Sequence, residues 1–187
     1  MYGGDAAAAS YAVISYVTYI VQMLIQGVGD GLQPLISRYF GAGKGEEVRI
    51  LRKMAFMMAE ITAIVSAVLL IAGSKPLAAF FGMGVHGASD VALAMPYFAV
   101  GMIFMAVERV MTSMFYAMDK NKYAYTLIYG ELILMGILAT FVLPPLMGVT
   151  GVWLSVAAAQ TAMAVLSVLL LRKFRGSADG AIGAPVS

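Results

Sequence analysis

Four carboxylic acids stand inside long apolar stretches of the sequence: Asp30, Glu60, Glu108 and Glu131. An ionisable side chain at the centre of a membrane helix costs at least about 2.5–3.5 kcal/mol, so residues of this kind usually serve a function. A carboxyl group in a low-dielectric environment favours its protonated form and can exchange that proton for another cation. The four acids therefore predict cation binding, with a proton, Na⁺ or a cationic organic molecule as the ligand.

Glu108 is the first candidate for a cation-coupling residue, because it lies roughly 20 Å from the start of its apolar stretch at about 1.5 Å per residue. A structural ion pair is the alternative. Arg109 follows Glu108 directly, but successive helix residues point about 100° apart, so Arg109 is a poor partner for it. Arg109 could instead reach an acid on another helix.

The other three acids have different expected roles. Glu60 and Glu131 lie nearer those ends of their stretches that carry basic residues, so they could extend to the membrane interface or pair there. Asp30 could form part of a gate. We keep Glu60 and Glu131 as secondary intramembrane acids and Asp30 as a coupling candidate.

Polar and aromatic side chains precede Asp30 at helical spacing. Gln22 and Gln26 are four residues apart, and Tyr19 comes three before Gln22, so the three share one side of a helix. Together with some of the 15 methionines, such a wall suits flat organic cations through cation–π and sulfur contacts. Gln160 could line the same cavity. The alternatives are hydrogen bonds between helices, which any of the three glutamines could make, and methionines that simply face lipid.

The run from Gln26 to Gly45 reads QGVGDGLQPLISRYFGAGKG. It contains three closely spaced glycines, a glutamine and a proline: Gly27, Gly29, Gly31, Gln33 and Pro34. Small residues let membrane helices approach closely, and a proline removes one backbone hydrogen bond and kinks a helix. A bend beside polar groups suits a moving gate, although the run could also simply end a helix.

Several classes of function lack the residues they need. The chain has no cysteine and one histidine, so neither a disulfide nor a structural zinc site is expected. FGAGKG follows an apolar stretch rather than a strand, which does not favour a phosphate-binding loop. No catalytic triad can be assembled, so we expect no enzyme, no metal and no cofactor beyond a coupling ion, Na⁺ or H⁺. A net charge of +2 does not suggest a nucleic-acid partner.

The elements that would carry these residues are membrane helices. The chain is 61% hydrophobic and 12% charged, whereas soluble domains have about 25% charged residues. Five apolar stretches are long enough to cross roughly 30 Å of hydrocarbon as helices. They run from Ala9 to Ile36, Met54 to Ala72, Val91 to Met118, Tyr123 to Leu143 and Gly148 to Leu171. The predicted fold is an all-α polytopic membrane protein in a lipid bilayer.

Basic residues set the predicted orientation. Ten of the twelve Lys and Arg residues follow the first, third or fifth stretch: Arg38, Lys44, Arg49, Arg52, Lys53, Lys120, Lys122, Arg172, Lys173 and Arg175. With five alternating spans, all ten fall on one side of the membrane, and the positive-inside rule makes that side cytoplasmic. The amino terminus is then outside and the carboxyl terminus inside the cell membrane.

The chain resembles the multidrug and toxic compound extrusion (MATE) family. The resemblance rests first on a family-like run at the end of the first stretch: Gly27, Gly31, Leu32, Gln33, Pro34, Leu35, Ile36, Ser37, Gly41 and Ala42. Three weaker matches, at Gly3–Ser15, Ser113–Ala124 and Gly148–Gln160, follow in the family's order. The Gln33–Pro34 pair favours the carboxyl-terminal lobe of such a transporter.

The resemblance implies an antiporter of two six-helix lobes that exports cationic amphipathic drugs and toxic compounds in exchange for Na⁺ or H⁺. Residues 1–175 would be a partial carboxyl-terminal lobe, and residues 176–187 a flexible cytoplasmic tail. The first helix of this lobe and the whole amino-terminal lobe would be missing partners, so we expect a fragment. Two alternatives remain open: a flippase of the same superfamily that moves lipid-linked substrates, and a non-transporting membrane assembly subunit.

Overall fold

The computed structural model describes residues 4–175, and almost all of them are helical. Seven α-helices follow one another: α1 (Gly4–Gly41), α2 (Gly45–Ala72), α3 (Ser74–Phe80), α4 (Val85–Ala117), α5 (Asn121–Ile137), α6 (Pro144–Met147) and α7 (Val149–Arg175). A π-helical segment, Leu138–Val142, joins α5 to α6. Five spans within residues 4–175 are long and apolar enough to cross a membrane. The prediction of an all-α chain with five spans is confirmed, and residues 176–187, predicted to be flexible, lie outside the described part.

The structure differs from the prediction most clearly between the second and third spans. Helix α3 was not predicted, and α4 begins at Val85, within a segment expected to be a loop. Both differences have a tertiary cause. Ala78 of α3 is fully buried in a cluster with Val91, Ala94 and Met95 of α4, so contacts distant in sequence stabilise a helix of only seven residues.

Helix α4 is the centre of the bundle, and it packs against α1, α2, α3, α5 and α7. Half of its buried residues are alanines or methionines, which fill irregular space while letting neighbouring helices come close. Most of the large apolar side chains of α2 and α5 are exposed instead, as expected for helices that face lipid. Polar side chains borne by α4 are therefore placed where several helices can reach them.

One end of the bundle is rich in basic residues. A single core cluster joins the end of α1, the start of α2, the end of α4, the start of α5 and the end of α7 through Ile36, Val48, Phe115, Ala124 and Phe174. The residues that flank these helix ends therefore meet at one end, which we call the basic end: Arg38, Lys44, Arg49, Arg52, Lys53, Lys120, Lys122, Arg172 and Lys173. A second cluster, with Ile14, Ala78 and Trp153, closes the opposite end.

The turn into α7 depends on Gly151, and this gives a first testable prediction. A Cβ atom at Gly151 would overlap the carbonyl group of Leu143 and lie 3.0 Å from the nitrogen of Pro144. Since these are backbone atoms, Gly151→Ala must shift the chain, and we expect a loss of about 1–3 kcal/mol in unfolding free energy. Thermal unfolding in detergent measures it. Gly136→Ala on α5 is the control, because a Cβ there meets nothing within 4 Å. Equal melting temperatures for the two variants would contradict the prediction.

Candidate functional site

A cavity of about 240 Å³ lies between four of the spans. Each helix contributes side chains spaced three or four residues apart, which is the spacing of one helix face. The wall consists of Tyr11, Ser15, Thr18, Tyr19 and Gln22 from α1, Phe98, Gly101, Met102 and Met105 from α4, Glu131 and Met135 from α5, and Val156 and Gln160 from α7. The cavity is therefore aromatic and thioether-rich, with one carboxylate and two amides.

Glu131 joins this cavity to a buried ion-pair network. Arg109 Nη2 donates hydrogen bonds to Glu131 Oε2 at 2.8 Å and to Oε1 at 3.1 Å. Gln160 Nε2 donates to the same Oε1 at 2.7 Å. The side chains of Arg109 and Glu131 are only 14% and 16% exposed, so the pair is largely shielded. The network thus connects α4, α5 and α7 through charge-assisted hydrogen bonds.

Glu108 lies behind the cavity wall rather than on it. It is fully buried, and Thr112 Oγ1, one turn along α4, donates a hydrogen bond to its Oε1. Its other oxygen, Oε2, lies 3.5 Å from Arg109 Nε. That distance is a charge contact rather than a hydrogen bond, and both atoms are buried without a hydrogen-bond partner among the described residues. Glu108 therefore reaches the cavity only through Arg109.

Two expectations about this network need correction. We predicted Arg109 to be a poor partner for Glu108, yet side-chain flexibility brings the two within 3.5 Å despite their adjacent positions. Glu131 was expected either to extend to the membrane interface or to pair with the basic residues at its helix end. Instead it pairs with Arg109 inside the span, because α5 packs against α4 and α7 at that level. The prediction that Arg109 could reach an acid on another helix agrees with the structure.

A second polar cluster lies on α1, outside the cavity. Asp30 Oδ1 accepts hydrogen bonds from Gln26 Nε2 at 2.8 Å, Gln33 Nε2 at 2.9 Å and Ser113 Oγ of α4 at 3.2 Å. Gln26 was expected to share the cavity face with Gln22, but it is directed one turn along the helix to Asp30. Of the α1 residues predicted to line a binding wall, Tyr19 and Gln22 do so and Gln26 does not.

The three closely spaced glycines of α1, Gly27, Gly29 and Gly31, differ in how closely a neighbouring helix approaches them. At Gly29 a Cβ atom would lie 2.5 Å from Ser113 Oγ and 2.9 Å from Ser113 Cβ, so α1 and α4 cross there in close contact. At Gly27 and Gly31 a Cβ would meet nothing within 4 Å. Of these three glycines, only Gly29 therefore serves close packing against the described residues. Pro34 lies inside α1, which continues to Gly41.

The family model described as lipid II flippase MurJ matches residues 3–184 of this sequence. The chain belongs to the MurJ family. A crystal structure of MATE in the bent conformation has the same fold, with a TM-score of 0.81 at 16% sequence identity, and the match covers 98% of this chain and 40% of that one. No curated protein matches the sequence.

The resemblance to MATE transporters is thus confirmed for the fold. This MurJ-family chain spans about 40% of the length of the MATE structure it matches. Its place in the carboxyl-terminal lobe stays a prediction. Glu60, the remaining predicted acid, lies on α2 outside the cavity, and its Oε1 is buried without a hydrogen-bond partner among the described residues.

Sequence reasoning did not single out Thr112, Ser15 or Thr18 in this MurJ-family chain. Thr112 stands four residues after Glu108, so helical spacing alone was a usable signal for that hydrogen bond. Ser15 and Thr18 share the α1 face with Tyr19 and Gln22, and the same spacing rule applies. A hydroxyl side chain in a single sequence gives no further sign of a binding role, because it can also bond to the backbone of its own helix, as Thr18 does.

Proposed function

We propose that the chain is part of a membrane antiporter that exports cationic, amphipathic compounds in exchange for H⁺ or Na⁺. The observation that carries this proposal is the composition of the cavity wall. Glu131 is the only charged residue on it among the described residues, and it stands among Tyr11, Tyr19, Phe98 and three methionines. Aromatic faces and a carboxylate attract a cation, and thioethers adapt to ligands of different shape.

The charge balance behind the wall supports the same proposal. Glu108 and Glu131 share one guanidinium, that of Arg109, so the network has one excess negative charge when both acids are ionised. A buried site with that excess suits one monovalent cation at a time. An organic cation and a coupling ion would then compete, which is the electrostatic requirement of antiport.

Membrane orientation is part of the proposal. Since the basic end gathers nine Lys and Arg residues, we place it in the cytoplasm and the opposite end outside the cell membrane. The remaining length of the longer proteins that share this fold would supply the other side of the transport pathway. Transport by the whole protein would therefore need partners that this chain does not contain.

The proposal predicts a Glu131-dependent affinity for organic cations. In nanodiscs containing the 187-residue chain, Glu131→Gln should weaken binding of tetraphenylphosphonium by roughly tenfold or more, because the only carboxylate on the described wall becomes neutral. Isothermal titration calorimetry gives the affinities. Glu47→Gln, which removes an acid from the first turn of α2, is the control. Equal affinities of wild type and Glu131→Gln would reject the cavity as a cation site.

A second candidate function is the flipping of a lipid-linked substrate, which the family match favours. One further observation supports it. A recess of about 490 Å³ at the basic end is lined by Arg49, Arg52, Lys53, Ile50 and Phe56. Basic groups beside apolar ones suit a pyrophosphate with a hydrocarbon tail. If this is the function, Arg52→Ala combined with Lys53→Ala should reduce binding of a polyprenyl pyrophosphate in nanodiscs, while Glu131→Gln leaves it unchanged.

A further inference from the structure

Arg109 already pairs with the carboxylate that a cationic guest would need. Its Nη2 bonds to both oxygens of Glu131, the one carboxylate on the described part of the cavity wall. The guanidinium itself does not line the cavity, so it approaches Glu131 from behind. A guest cation entering from the cavity and Arg109 would therefore interact with the same carboxylate from opposite sides.

Glu108 offers Arg109 a second carboxylate. Glu108 Oε2 lies 3.5 Å from Arg109 Nε, and neither atom has a hydrogen-bond partner among the described residues. A shift of about half an ångström would bring this pair to ordinary hydrogen-bond distance. Arg109 can thus strengthen its bond to Glu108 while weakening its bonds to Glu131.

The charges around Glu108 are few. Those that act on it are the guanidinium of Arg109 and the carboxylate of Glu131 on α5. Among the described side chains of α7, only the neutral amide of Gln160 bonds to the network. Among acids on the other helices packed against α4, Asp30 of α1 is bonded to Ser113, and Glu60 of α2 is not bonded to the network.

We propose that Arg109 is an internal competitor for the cationic guest and that the charge on Glu108 decides which of them Glu131 holds. When Glu108 is ionised, it draws Arg109 away, and Glu131 accepts the guest. When a proton binds Glu108 Oε2, that attraction is lost, Arg109 returns to Glu131, and the guest leaves. One proton is thus gained for one guest released. This inference rests on the cation-binding function proposed above and names the residue that links the two sites.

The test compares three variants of the full chain in nanodiscs by calorimetric titration with tetraphenylphosphonium at pH 6 and pH 8. Glu108→Gln should weaken binding by roughly tenfold and remove its pH dependence, because Arg109 then has no second carboxylate. The double variant Glu108→Gln/Arg109→Gln should bind more tightly than wild type at both pH values, because the competitor is gone. Asp90→Asn removes an acid from the same helix about 27 Å away and should bind like wild type.

The double variant separates competition from net charge. It keeps the network's single excess negative charge, so an effect of net charge alone would restore only wild-type affinity. Equal affinity of the double variant and wild type, or a Glu108→Gln variant that binds like wild type, would overturn the inference while leaving Glu131-dependent binding intact. If wild type and Glu131→Gln bind the probe equally, the proposed cation site fails and this inference fails with it. Should the double variant not fold, Glu108→Gln/Arg109→Met makes the same comparison, because it carries the same net charge and also lacks the guanidinium.

Discussion

Gly29→Ala is expected to lower the free energy of unfolding by about 1–3 kcal/mol, although it adds only one methyl group. The added Cβ would lie 2.5 Å from Ser113 Oγ and 2.9 Å from Ser113 Cβ. Neither distance is tolerable, so α1 must move away from α4 along one of the most extensive helix contacts in the bundle. Thermal unfolding of the purified protein in one detergent gives the change in melting temperature.

Gly31→Ala should instead raise the free energy of unfolding. A Cβ at Gly31 meets nothing within 4 Å, and alanine in a helix is about 0.5–1 kcal/mol more favourable than glycine. Gly29→Ala and Gly31→Ala therefore form a matched pair that differs by half a helical turn. A destabilisation of equal size at both positions would indicate a general need for glycine in this segment rather than a contact at Gly29.

Truncation of Ser113 should rescue Gly29→Ala. Without the Ser113 side chain, the nearest atom to the new Cβ is the carbonyl oxygen of Arg109 at 3.6 Å, which is an ordinary contact. Ser113→Gly alone loses the hydrogen bond to Asp30, so it supplies the reference for the double variant. We expect Gly29→Ala to cost much less in the Ser113→Gly background than in wild type, and a double-mutant cycle measures that difference. Additive effects would show that the two residues do not clash.

The glycines also show how far sequence reasoning reaches in this protein. Length and hydropathy predict five spans, because a helix that crosses a bilayer needs about 20 consecutive apolar residues and leaves a strong local signal. The run from Gly27 to Gly31 predicts that helices approach closely near this point. Which of the glycines makes the contact depends on how α1 is rotated against α4, and that rotation is set by packing. Helix α3 was missed for the same reason, since its stability comes from Ala78 packing on α4.

The candidate site was predictable to a similar extent. Helical spacing put Tyr19 and Gln22 on one face, and both line the cavity. The acids were found because carboxylates are rare in apolar stretches, but their partners were not. Glu131 is on the wall and Glu108 is behind it, with Arg109 in contact with both, and this arrangement depends on which helices are neighbours. The expected roles of these residues in cation coupling stay predictions.

The second large effect is expected for Arg109→Ala, which should lower the unfolding free energy by about 3–5 kcal/mol. The substitution leaves two carboxylates, those of Glu108 and Glu131, in a shielded region without a counter-charge. The cost comes from the unpaired charges more than from the lost bond, because a buried charge without a partner is poorly solvated. Thermal unfolding at pH 8, where free carboxyl groups ionise, gives the largest expected difference from wild type.

Arg49→Ala is the matched control, because Arg49 also pairs with a glutamate, Glu46, but the two side chains are 64% and 51% exposed. Water screens that pair, so its loss should hardly change the melting temperature.

A neutral version of the network should regain most of the stability that Arg109→Ala loses, because it leaves no charge unpaired. This triple variant is Glu108→Gln/Arg109→Met/Glu131→Gln. If the triple variant stays as unstable as Arg109→Ala, packing of the arginine stem rather than charge compensation stabilises this part of the bundle. If the triple variant regains stability but no longer binds cations, the buried charges are retained for binding and not for folding.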